Sequence, residues 1–105
     1  MTENTPQKPR QAPDTESLYT AFVSLRNTDE VARFLKDLFT PGELATLSER
    51  WRVARLLDGG GKTYREIAEE TGASTATVTR VARFLLQENN QGYRLILDRL
   101  KETSS

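Results

Sequence analysis

Between Ser74 and Arg83 the chain reads STATVTRVAR, a stretch whose side chains divide into two sets if it is helical. Val78 and Val81, three apart, share one face. Thr75, Ala76, Thr77, Thr79, Arg80 and Arg83 remain on the outside, with Ser74 at the start. That outer set holds short hydroxyls, methyl groups and two guanidiniums, and it contains no acid. Short side chains let a helix approach a groove closely, hydroxyls bond base edges or phosphates, and methyls meet the thymine methyl. Arginine bonds guanine or neutralises phosphate. The chemistry these residues suit is recognition of double-stranded DNA in its major groove. Thr63 and Arg65, which open the preceding helical segment, are expected to hold phosphate. An ordinary helical hairpin can share this composition. The Thr63–Glu66 capping box, Ala68, Gly72 and the paired valines agree with a helix-turn-helix at every position, and that agreement favours the DNA reading.

Other chemistries are poorly served. The 105 residues include no cysteine and no histidine, which removes disulfides, thiolate nucleophiles, ordinary zinc sites and the commonest general base. No metal and no cofactor is expected, because an all-oxygen cation site needs an acidic loop and none has the spacing. An enzyme is the weakest option. Gly61-Lys62-Thr63 looks like the end of a phosphate-binding loop, but that pattern requires glycine where Leu56 stands. The longest apolar runs are too short to span a membrane, and the first residues lack the apolar stretch of a signal peptide, so a cytoplasmic location is expected. Lys and Arg balance Asp and Glu at 15 each, yet residues 50–83 carry seven cations against four acids, a local excess of +3. Phosphate contact needs such a local footprint.

Helices must position these groups. Residues 1–15 hold three prolines and no large apolar residue after Met1, the composition of a disordered tail. The folded domain is expected over residues 16–103, as one unit. Leu18, Phe22 and Leu25 repeat at helical spacing in a segment ending near Arg26. Asn27 caps a second helix with Glu30 at its third position. Thr40-Pro41-Gly42-Glu43 combines a capping box with proline in the first turn, opening a third helix that stops at the glycines 59–61. A fourth runs from Thr63 to about Thr71, a fifth from Ser74 to about Gln87, and a sixth carries Tyr93, Leu95, Ile96, Leu97 and Leu100. The fold class is all-α with six helices.

These residues also carry a resemblance. Phe39-Thr40-Pro41, Glu43, Leu47, Arg50-Trp51-Arg52, Arg65-Glu66, Gly72-Ala73 and Ala76-Thr77-Val78-Thr79-Arg80 resemble the Trp repressor superfamily. The run from Tyr64 to Val81, with Gly92-Tyr93 beyond it, is similar to its YerC/YecD branch. The resemblance covers about residues 17–101. It implies an intertwined homodimer in which each chain presents one helix-turn-helix head. The many large apolar groups of the first two helices agree, since a small monomer would struggle to cover them.

Tryptophan repressors hold their effector between two arginines, and the resemblance places these at Arg50 and Arg80, with Thr40 beside the ligand. Val81 and Phe84 depart from it, standing where tryptophan-responsive members have glycine and serine. These larger groups are expected to narrow or fill an indole slot, so L-tryptophan is not the expected effector. Phosphate contact or ion pairing is the preferred role of the two arginines. The expected function is therefore a sequence-specific DNA-binding transcriptional regulator, a repressor, acting as a homodimer on a roughly palindromic operator. The alternative is a helical protein–protein adaptor. Salt dependence of duplex binding separates the two.

Overall fold

A computed structural model describes residues 14–104. Among these there are six helices and no strand: α1 Thr15–Val23, α2 Thr28–Leu38, α3 Pro41–Gly59, α4 Tyr64–Thr71, α5 Thr75–Leu86 and α6 Gly92–Ser104. The disordered tail expected over residues 1–15 lies outside the described residues except at its end. There it needs correction, because Thr15 is already the first residue of α1. The chain divides after Leu38 into two compact units.

The first unit holds α1 and α2. The rings of Phe22 and Phe34 meet edge to face at 5.5 Å, an arrangement that sets a positive ring edge on a negative face. Helix α1 stops at Val23, three residues short of the Arg26 expected from periodicity. Ser24 explains the early stop. Its hydroxyl donates to the Ala21 carbonyl at 2.7 Å, drawing off an acceptor that the next turn of helix would use. The Arg26 N–H then donates to Glu30 Oε1 at 3.0 Å, while Asn27 Oδ1 accepts from the Glu30 N–H at 2.9 Å. The cap expected at Asn27 is thus present in reciprocal form.

The second unit holds α3 to α6. Thr40 and Glu43 exchange the two bonds of a capping box, at 2.9 and 3.1 Å, and Pro41 occupies the first turn, where its missing N–H costs nothing. A second box joins Thr63 and Glu66 at 2.8 and 3.0 Å. Gly72 ends α4 in the left-handed conformation, with φ +80°, and its N–H donates to Ala68. Only glycine enters that region without steric cost. Ser74 caps α5 by accepting from the Thr77 N–H at 3.0 Å.

These local signals place Ile67 of α4, Ala73 of the turn and Val78 and Val81 of α5 against Val53 and Ala54 of α3, and all six are buried. Trp51, Leu56, Leu57, Ala68 and Tyr93 pack around them. Helix α3 is the element against which α4, α5 and α6 all rest.

An ionic cluster ties α6 to the end of α3. Asp58, whose side chain is 10% exposed, accepts from Arg94 at 2.7 Å and Lys101 at 2.9 Å. Hydrogen bonds from Lys101 and then Arg94 hold its carboxyl below the usual carboxylate range. A carboxyl depressed in the folded state contributes stability that is present above its unfolded pKa and lost as pH falls through the folded one. Asp58→Asn should therefore melt a few degrees below the parent at neutral pH, with the gap closing in acid. Thermal melts across the acid range check this, and a gap independent of pH would exclude Asp58 as its source.

Candidate nucleic-acid interface

The α4–turn–α5 hairpin presents a face whose geometry follows from its core. With Val78 and Val81 fully buried, the helical repeat sends Thr75, Ala76, Thr79, Arg80 and Arg83 outward, and all five are exposed. Ser74 is exposed as well, but its hydroxyl already caps the helix. Thr77 departs from expectation. It is half-buried, and its Oγ1 accepts from the Ser74 hydroxyl at 3.0 Å. As the third helical residue it turns back over its own cap, so Ser74 and Thr77 chiefly support the helix start.

Thr63 and Arg65 are exposed at the start of α4. The Thr63 oxygen accepts from the Glu66 N–H, which leaves the hydroxyl proton available to a phosphate.

The cations are held unequally. The Arg80 guanidinium lies over the Phe84 ring at 4.5 Å from its centre, and the Arg83 guanidinium lies 5.3 Å from the same centre. Arg83 Nε also meets Glu88 Oε2 at 3.3 Å. Arg52 and Lys62 both face Glu70, at 3.7 and 2.9 Å. The Lys62 ammonium holds the Glu70 carboxyl below its usual range, while Glu70 holds Lys62 above its own. Among the described residues, Arg50, Arg55, Arg65 and Arg80 have no acid within ion-pair distance. The footprint counted along the sequence is therefore partly neutralised in place. Arg80 keeps its charge uncancelled on the outer face of α5.

Glu88 and the seating of Arg80 on Phe84 escaped the sequence reading. The i, i+4 spacing of Arg80 and Phe84 was a legible signal. The Glu88 contact depends on the path of the chain after α5. There the N–H groups of Gln87 and Glu88 both donate to the Arg83 carbonyl, folding the acid back along the helix.

The five residues of the expected effector pocket lie at the N-cap of α3, on α3 and on α5. Arg50 lines an open groove of about 390 Å³ with Phe39, Gly42, Glu43, Thr46 and Leu47. Thr40 caps α3, while Arg80 and Phe84 stand together on α5. Val81 is a fully buried core residue that packs the hairpin onto α3. Among the described residues no group of acids is placed to hold a metal, and no helix is long and apolar enough to cross a membrane.

Comparison with known proteins agrees with this architecture. The chain is 44% identical over 90 residues to "Uncharacterized protein YerC" of Bacillus subtilis (strain 168), covering 86% of this chain and 85% of that one. It is 39% identical over 69 residues to a "Trp operon repressor homolog" of Chlamydia trachomatis serovar L2, covering 62% and 73% respectively. The crystal structure of a TrpR like protein from Eubacterium eligens ATCC 27750 superposes with a TM-score of 0.78 at 42% identity, covering 87% of this chain and 92% of that chain. The family description "Trp repressor protein" matches residues 14–101. With the match spanning the α4–turn–α5 hairpin and the helices on either side of it, the chain belongs to the Trp repressor family.

Proposed function

We propose that this protein is a sequence-specific, DNA-binding transcriptional repressor that acts as a homodimer. The observation that carries the reading is the acid-free outer face of α5, with Thr75, Thr79 and an unneutralised Arg80 exposed above a fully buried valine pair. Family membership supports it, as does a relative named as a Trp operon repressor homolog. In the proposed complex α5 enters the major groove, while Thr63 and Arg65 at the start of α4 hold the adjoining phosphates. Two heads then read a roughly palindromic site, with half-sites about one helical turn apart.

Selection of bound duplexes from a random pool tests the reading directly. The expected outcome is an inverted repeat whose binding weakens steeply with salt, through counterion release. Recovery of no enriched motif, with salt-insensitive binding to a helical protein partner instead, would replace it by the adaptor reading.

Dimerisation is supported by exposed apolar side chains on α1 and α2, among them Leu18, Tyr19, Phe22, Val31 and Leu38. Such groups usually mark an interface. Phe22→Asp should dissociate the protein, because an interface that buries an unpaired carboxylate is strongly disfavoured. Sedimentation at micromolar concentration reads the outcome, and a folded monomer for the parent chain would exclude the dimer.

L-tryptophan should neither bind measurably nor change the affinity for DNA. The Arg80 guanidinium already has an aromatic ring, that of Phe84, against its face, and Val81 belongs to the core. Calorimetric titration at millimolar tryptophan checks this, and saturable binding by the parent would refute it.

A further inference from the structure

We infer that Phe84 is a positioning residue for the DNA contact, its ring seating the Arg80 guanidinium before DNA arrives. The inference rests on the proposed DNA-binding reading and adds to it a device for ordering the contacting cation. An exposed arginine samples many rotamers, and fixing it upon binding costs conformational entropy. Two kinds of neighbour can order it in advance. A carboxylate does so by neutralising the charge, and a phosphate must then displace it. An aromatic face holds the cation through its ring quadrupole and leaves the charge uncancelled. It also leaves the N–H edge of the planar guanidinium free for a bidentate contact.

Both cases occur on α5. Arg83 shares the Phe84 ring at 5.3 Å but is also bonded to Glu88. Arg80 lies closer to the ring, at 4.5 Å, and has no acid within ion-pair distance among the described residues. The ring is itself half-buried, so neighbouring side chains back it on one side. Arg80 is thereby the cation that is seated without a carboxylate partner.

A double-mutant cycle on the selected duplex provides the test. Phe84→Leu removes the π face while keeping much of the apolar volume. It should weaken binding about threefold per head, and about tenfold for a two-headed complex. The same substitution in an Arg80→Ala background should change affinity by less than about twofold, and Phe84→Trp should restore nearly parental binding. Unfolding melts without DNA accompany each variant. If leucine lowers stability, Phe84→Met, whose flexible side chain fills irregular space, supplies the same comparison. Equal losses in both backgrounds, or failure of tryptophan to rescue, would assign Phe84 to packing alone and overturn the inference. So would parental affinity in Phe84→Leu. A parent chain that binds no duplex at all would instead overturn the DNA-binding reading, and this inference with it.

Discussion

Ile67→Ala should lower folding stability by about 2–5 kcal/mol, the range for truncating a buried isoleucine. Ile67 is the largest fully buried side chain among the described residues, and it sits where α4 meets the α3 and α5 residues of the core. Its removal opens a cavity that the capped, glycine-bounded α4 has little freedom to close. A small domain has roughly 5–15 kcal/mol in all, so the loss is a large share of the total, and about 4–8 °C in melting temperature per kcal/mol follows for a chain of this size. Ile67→Val, which deletes one methylene, should cost only about 0.5–1.5 kcal/mol. Urea denaturation of the two variants beside the parent gives the comparison. An alanine variant as stable as the valine variant would mean that the hairpin is not anchored through this side chain. DNA binding should fall with the alanine variant only as far as its folded fraction falls.

Arg83→Ala should weaken recognition while leaving the fold intact. Loss of an arginine contact to a base or phosphate costs about 1–3 kcal/mol. Here the consequence is compounded, because Glu88 loses the partner it meets at 3.3 Å. An unpaired carboxylate then faces the DNA beside the reading helix, and like charges repel. Binding by Arg83→Ala should therefore be weaker than binding by the Arg83→Ala, Glu88→Gln pair, although both lack the same cation. Thr79→Ala, on the same exposed face, should weaken binding less and without change of charge. Helicity and sedimentation should match the parent for all three, since none of these side chains is buried in the core. Titration of the selected duplex at two salt concentrations measures the differences. Parental affinity in both Arg83→Ala and Thr79→Ala would remove this face of α5 from the interface.

The features legible in the residues alone are those whose physics is local. Both threonine–glutamate capping boxes, the Asn27 cap, the proline entry of α3 and the left-handed turn at Gly72 each depend on contacts within about four residues, and each is present. The burial of Val78 and Val81 followed from helical spacing, which also exposed the outer face of α5. Even locally the reading had a limit. Ser24 ends α1 early, through a hydroxyl bond that competes with the helix and that periodicity cannot register. Tertiary structure alone decided the rest. Asp58 meets Arg94 across 36 positions of chain, a pairing set by how α6 lies on α3. Whether Val81 faces a slot or the core depends on how closely α5 approaches α3, since helical spacing gives a side chain its face and leaves open what stands opposite. Which arginine keeps its charge was also beyond a sequence count. The turn after α5 brings Glu88 to Arg83 and no acid to Arg80, and side chains cancel one another by distance in space, not by order along the chain.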